Sequence, residues 1–365
     1  MFKKYRILKW IGIFIAFLLI ITTSFIFWLR NVLPSRDANL EQTQTKDLVY
    51  LSENIIPKRG KILAVVTSTD TMGNSGKSTG YELTELARAY YVFEANGFEV
   101  DVASPKGGEA PVVIDDEDMG AYDFAFLNDP IAQNKTSHTI PIDDVNPDDY
   151  SAIYFVGGKG TMFDFPNNKV LQGIVKDYYQ SNKVIGAVCH GPSALVNVML
   201  DNGRPLLENK KVSSFTNEEE LLLISDAKSI FPFLLQDKLI EQGASFNEGV
   251  MYLDKISHDN NLITGQNPWS TWSLAEKMIL QLGYTLKPRQ ITGEENAVKV
   301  LIAYHKEGKQ KSKETIERLI LKENQTIDRV LLAKHGIIAA MKVNIGDFVN
   351  LLSLVSVAKN CEAKK

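Results

Sequence analysis

Short apolar runs recurring between amphipathic stretches restrict this chain more than any other feature. Lys61 to Thr67, Phe98 to Ala103, Tyr150 to Val156, Lys183 to Val188 and Leu262 to Thr264 are each long enough for one strand. Their near-continuous apolar texture suits strands buried on both faces; strands open to water on one side alternate instead. Between them, Leu83 to Asn96, Val170 to Gln180, Phe233 to Gln242 and Ser270 to Leu282 carry helical periodicity. Gly97 stands where a helix end accepts a left-handed residue. A helix is expected after Pro192 and a further strand at Val212 to Phe215. Strands alternating with helices of this length predict an α/β fold: a mostly parallel sheet with helices on both faces. The acidic segment from Glu109 to Pro147 breaks the rhythm and reads as an insertion near the functional site.

The two ends differ from this core. Lys3, Lys4, Arg6 and Lys9 precede an uncharged run, Ile11 to Leu29, bracketed by Trp10 and Trp28. About nineteen apolar residues span a bilayer as helix, and tryptophan belongs at its interfaces. A cleaved signal peptide is the competing reading, but the run is long for one and no A-x-A site follows. Residues 1–30 are therefore expected to be a transmembrane anchor. The basic flank favours an N-in orientation, with the catalytic domain extracytoplasmic. Residues 31–59 read as a polar stalk, 60–285 as the α/β domain, and the Lys-rich, amphipathic 286–365 as a small helical appendage.

Net charge is −4, with no basic patch bearing interleaved aromatics, so nucleic acid is not an expected partner. Two distant cysteines, Cys189 and Cys361, and five scattered histidines have no metal-ligand spacing, so no metal is expected. Gly73-Asn-Ser-Gly-Lys-Ser78 imitates a phosphate loop but has Thr71 where the pattern needs glycine.

Val184-Ile-Gly-Ala-Val-Cys-His-Gly-Pro192 carries the chemistry. A buried strand running into Cys-His-Gly-Pro presents Cys189 on a sharp strand-to-helix turn, as in a nucleophile elbow. Backbone N–H groups and a following helix N-terminus are expected to lower the thiol pKa from about 8.5. The alternative is an inert core cysteine.

Ala187-Val-Cys-His-Gly-Pro192 resembles the elbow of the DJ-1/PfpI superfamily, in its Hsp31-like, glyoxalase III branch. Four further segments agree in order: Thr79-Gly80 with Glu85 and Tyr90-Tyr91; Ala103 to Gly108; Phe155-Val-Gly-Gly-Lys-Gly to Asp164; and Phe215-Thr-Asn-Glu-Glu-Glu220 with Leu262 to Pro268. The likeness covers roughly Lys61 to Leu282 and implies a flavodoxin-like arrangement. It implies Cys189 as nucleophile, His190 as base or proton shuttle, and Glu220 as the carboxylate orienting it, with Glu219 as fallback. A solvated helix start is the plainer reading of those glutamates. Glu85 would be a second, protonated carboxyl serving as acid and then base, with Glu82 its surface alternative. Gly157 and Gly158, with the His190 N–H, would form an oxyanion hole. Lys159 departs from the family's usual histidine and puts a fixed cation by the pocket.

The resemblance implies a cofactor-free, glutathione-independent glyoxalase (D-lactate dehydratase) acting on methylglyoxal or related 2-oxoaldehydes, with deglycase, chaperone and stress roles, and homodimers as in related proteins. Two other readings stand beside it. One is a PfpI-type cysteine peptidase or amidase; the other is a non-catalytic redox-sensing chaperone. Extracytoplasmic placement sits awkwardly with a metabolite made inside cells.

Overall fold

The computed structural model describes residues 2–365, excepting the side chains of 2–9, 12, 18 and 21, so the basic side chains of Lys3, Lys4, Arg6 and Lys9 lie outside what is described. The chain divides into two units: Ala38–Gln290, and Ile291–Lys365 together with the N-terminal segment ending at Asp37.

Within the first unit the apolar runs become strands β1 (Gly60–Val65), β2 (Phe98–Ser104), β3 (Ile140–Pro141), β4 (Ala152–Phe155), β5 (Val184–Val188), β6 (Ile256–Asp259) and β7 (Leu262–Gly265). They form one sheet in the order β6-β7-β5-β4-β1-β2-β3, parallel except for the β6–β7 pair. Every residue of β4 and β5 is buried, as their unbroken apolar texture demands. Ile62, Ile153, Phe155 and Ile185 are fully buried in this sheet. The chain builds outward from β1 to β2 and β3, then returns to the other side of β1 with β4. That reversal opens a crevice at the carboxyl ends of the strands, where α/β sheets place their ligands.

Helix α2 (Leu83–Ala95), after the N-terminal α1 (Phe2–Val32), is buried along nearly its whole length. This explains Arg88, a fully buried cation, held by Asp123 at 3.1 Å. Asp123 comes from the Glu109–Pro147 segment, which is no loose insertion: it contains β3 and helices Ala121–Leu127 and Pro130–Ser137. Helices α3 (Lys169–Gln180) and α4 (Thr271–Gln281) fall where periodicity placed them.

Three local expectations are corrected. After Pro192 there is only a 3-10 helix, Gly191–Leu195, because Val196 turns extended. Val212–Phe215 contributes just a two-residue strand, Lys211–Val212, to a separate small sheet. Residues 38–59, read as stalk, are partly structured: Leu48 and Tyr50 are buried, and Tyr50 accepts a hydrogen bond from Asn96 at 2.9 Å.

The second unit holds α5 (Gly293–Glu307), α6 (Lys309–Glu317), α7 (Arg329–Met341) and α8 (Ile345–Glu362), with α1. Thr292 caps α5, its hydroxyl accepting from the Glu295 N–H while Glu295 answers the Thr292 N–H. Asp328 caps α7 in the same manner, accepting from Val330 and Leu331. Among the described residues, one helical stretch, Ile13–Val32, is long and apolar enough to cross a membrane, judged by length and composition.

Candidate active site

Cys189 follows directly on β5 with φ of +58°, in the left-handed region. A side chain there costs about 1–3 kcal/mol of strain, kept only where surrounding structure enforces it. Here both backbone groups of Cys189 are pinned. Its N–H donates to the Gly265 carbonyl, and its carbonyl accepts from the Phe215 N–H, each at 2.9 Å. The turn aims the thiol, 5% exposed, between a histidine and a carboxyl group.

His190 Nδ1 lies 3.3 Å from the Cys189 sulfur, and Nε2 lies 2.5 Å from Glu220 Oε2. Burial alone would raise Glu220, but the charge and hydrogen bond of His190, aided by Lys159, hold it below the usual carboxylate range. An ionised Glu220 assigns the ring hydrogen to Nε2 and leaves Nδ1 as acceptor toward the thiol. The His190 ring rests against Phe215, centroids 4.6 Å apart, which holds its plane.

Glu220 and Glu219 have different tasks. Helix Asn217–Leu223 begins at Thr216, whose N–H and hydroxyl both donate to Glu219 Oε2 at 2.9 Å. Glu219 Oε1 accepts from the Tyr252 N–H, Gln266 and Asn267 at 2.7, 3.0 and 2.9 Å. Glu219 is thus a capping and cross-linking carboxylate turned away from His190, and Glu220 alone reaches the imidazole.

Glu85 projects from the first turn of α2 and is completely buried. Its Oε2 accepts from the Gly157 N–H at 2.8 Å, while Oε1 meets no N–H or O–H donor. Burial, and then the Glu82 charge, push Glu85 well above the usual carboxylate range, against hydrogen bonds from Cys189 and Gly157 and the Lys159 charge. Burial therefore favours the proton-bearing form of this carboxyl, which faces the Cys189 thiol. Glu82 is half-buried rather than an open-surface alternative, and burial raises it to about 7.

The expected acidic thiol is reversed in the resting chain. Burial, then Glu85, push Cys189 well above its ordinary range, with Lys159 opposing. The helix meant to stabilise a thiolate is a single 3-10 stretch, and the thiol is buried. His190 Nδ1 is the nearest basic atom to this thiol, at 3.3 Å.

Gly157 and Gly158 sit at the end of β4, and both positions exclude a side chain. A Cβ on Gly157 would fall 2.4 Å from Glu85 Oε2 and 2.8 Å from Cys189 Cβ. Gly158 has φ of +106°, and its Cβ would meet the Gly80 carbonyl at 2.2 Å. The Gly157 N–H, engaged by Glu85, is not free for a substrate oxygen. Among the described residues, the N–H groups of Gly158 and His190 donate to no protein acceptor. The Thr161 hydroxyl lies 2.9 and 3.1 Å from the carbonyls of these same two residues, tying both turns together. Lys159 extends over Phe215, 6.0 Å from its ring centre, where its charge bears on Glu82, Glu85, Glu220 and Cys189.

Sequence reasoning missed Tyr252. It has φ of +53°, is buried, and stands 6.2 Å from Phe215, ring to ring. Nothing local marks it, because Glu219 places it from a distant part of the chain, its carboxylate accepting from the Tyr252 N–H and its carbonyl from the Tyr252 hydroxyl.

Residues 77–281 match the model of the DJ-1/PfpI family. The chain is 34% identical over 233 residues to the glutathione-independent glyoxalase HSP31 of Saccharomyces cerevisiae, covering 60% of this chain and 95% of that one. Among crystal structures it is similar to the Rapid Encystment Protein 24 kDa of Francisella tularensis, with 38% identity, a TM-score of 0.58, and coverage of 61% and 99%. Glyoxalase III of Candida albicans follows with 29% identity, a TM-score of 0.56, and coverage of 61% and 97%. The family model spans β2, β4, β5 and β7 together with Glu85, Cys189, His190 and Glu220, and on that ground the chain belongs to the DJ-1/PfpI family.

Proposed function

We propose that this protein is a cysteine-dependent, glutathione-independent glyoxalase converting a 2-oxoaldehyde such as methylglyoxal to the 2-hydroxy acid. The observation that carries the reading is the line from Glu220 through His190 to Cys189, with the buried Glu85 carboxyl, raised above its usual range, beside the sulfur. Isomerising an aldehyde and ketone into an acid needs a nucleophile plus a group that first donates and then accepts a proton. A plain hydrolase needs no such buried neutral carboxyl.

The chemistry runs as follows. His190 Nδ1 takes the thiol proton while the sulfur bonds to the aldehyde carbon, and Glu85 protonates the new oxyanion, giving a hemithioacetal. The carboxylate left on Glu85 removes the hydrogen of that carbon, and imidazolium protonates the neighbouring oxygen, giving an enediol. Glu85 returns the hydrogen to the adjacent carbon while His190 takes the hydroxyl proton, giving a thioester. Water then cleaves the carbon–sulfur bond and lactic acid leaves. One proton of that water and the one on His190 restore the thiol and the Glu85 carboxyl. The free N–H groups of Gly158 and His190 would receive the oxygen that gains charge.

The same reading takes α1 as a membrane anchor with its N-terminus inside, residues 60–285 as the catalytic domain and 286–365 as an appended helical domain. Purified full-length chain should form lactate from methylglyoxal without glutathione, and Cys189→Ala should abolish it. Undiminished lactate from that variant, or turnover of peptides or amides in place of 2-oxoaldehydes, would overturn the assignment.

A further inference from the structure

The second unit carries an apolar surface that the glyoxalase reading does not use. The turn joining α7 to α8 exposes Ile337, Met341, Val343, Ile345 and Val349, with Val343 80% exposed. Large contiguous apolar exposure of this kind marks a docking surface. Its position relative to α1 says what it docks against. The Phe348 ring, near the start of α8, packs on Phe25 with centroids 6.2 Å apart. Phe25 lies four residues before Leu29, the end of the uncharged run, which is about 6 Å along a helix.

At the other end of α8, the Lys359 ammonium reaches the Asn31 carbonyl at 2.8 Å, and Arg329 holds the Val32 carbonyl. These cations satisfy carbonyls at the C-terminus of α1, where positive charge is favoured. The two contacts orient α8 alongside α1: its Lys359 end sits at the polar end of the span, and its Ile345 end points along the apolar part.

We propose that the α7–α8 turn enters the interfacial layer of the bilayer that α1 crosses, as a second membrane contact. The inference rests on α1 being a membrane span. A depth of about 5–10 Å is that of an interfacial apolar element, which matches the level of Phe25. Charges at the turn suit this placement. The Asp347 carboxylate accepts from the Tyr304 hydroxyl and the Asn344 amide, each at 2.6 Å. Lys342 has a stem long enough to reach the headgroups. Lys309, bonded to Asn350 at 3.3 Å one residue beyond Val349, adds a cation at headgroup level. Because Phe348 seats the start of α8 on Phe25, within the apolar run of α1, the exposed turn lies beside that run, and the occupant is lipid rather than a second copy of the chain.

The test uses the full chain in phosphatidylcholine–phosphatidylglycerol vesicles, with Cys189→Ala and Cys361→Ser as background. An environment-sensitive fluorophore is attached at Val343→Cys, at Ile345→Cys, or at the control Lys322→Cys beyond the far end of α8. The expected result is a blue shift and severalfold quenching by lipid-tethered quenchers at the first two positions only. If the chain floats with vesicles but both turn labels stay in water, the inference fails while the anchor stands. A chain that does not float refutes the anchor, and the inference with it. A blue shift that lipid quenchers miss and that grows with protein density means a second copy covers the turn, which also overturns the proposal.

Discussion

Replacing Glu220 by Gln isolates one charge in the proposed relay while keeping its shape. The amide oxygen can still accept from His190 Nε2, so the ring keeps its tautomer. What disappears is the negative charge 2.5 Å from a nitrogen that must carry a full positive charge once Nδ1 takes the thiol proton. At an effective dielectric of 20 and about 4 Å between charge centres the lost attraction is about 4 kcal/mol, and about 2 kcal/mol if the pocket relaxes, so kcat/KM should fall roughly 30- to 1,000-fold. Lactate release from methylglyoxal by full-length protein measures it. Glu219→Gln is the control. Its two oxygens accept five donated hydrogen bonds, and an amide would turn an N–H toward one of them. That mismatch should cost about 1–3 kcal/mol and lower Tm by roughly 2–4 °C per kcal/mol, so stability is the main quantity affected. Glu220→Gln with kcat/KM within about twofold of the parent protein would refute the relay, since the argued charge loss cannot be that small.

Three further outcomes follow from the geometry. Glu85→Gln should remove activity yet stabilise the fold at pH 7. Because the folded carboxyl titrates above its unfolded value of about 4.3, the parent protein loses stability as pH rises through that window, and the variant does not. The Tm gap between them should close below about pH 4, and a gap of opposite sign at pH 7 would refute the protonated state. Arg88→Ala leaves Asp123 buried without its cation and should cost about 3–5 kcal/mol in denaturant unfolding. Gly157→Ala places a methyl against Glu85 Oε2 and the Cys189 Cβ; the overpacking should cost about 1–3 kcal/mol, and a displacement near 1 Å should reduce turnover about 100-fold.

Much of this molecule can be read along the chain. Apolar runs at Lys61, Phe98, Tyr150, Lys183 and Leu262 all became strands of the main sheet, because a strand buried on both faces has no polar positions to spare. Cys189 was legible for a related reason: a strand that stops in Cys-His-Gly-Pro must turn sharply there, and the turn presents the next side chain. The pairing of His190 with a glutamate was legible only as a choice between two adjacent residues. Which one faces the ring depends on the capping of helix Asn217–Leu223 and on Tyr252, Gln266 and Asn267, contributed by a different part of the chain.

The sequence by itself determined the order of strands and helices, the placing of Cys189 on a strand-end turn and the presence of an apolar span-length helix, all properties of local pattern. Tertiary structure alone decided the direction in which the site's acids are shifted. Burial of Cys189 and Glu85 raises both groups, where the motif had promised an acidic thiol. Desolvation is set by the atoms that surround a group from every side, and most of those are remote in the chain.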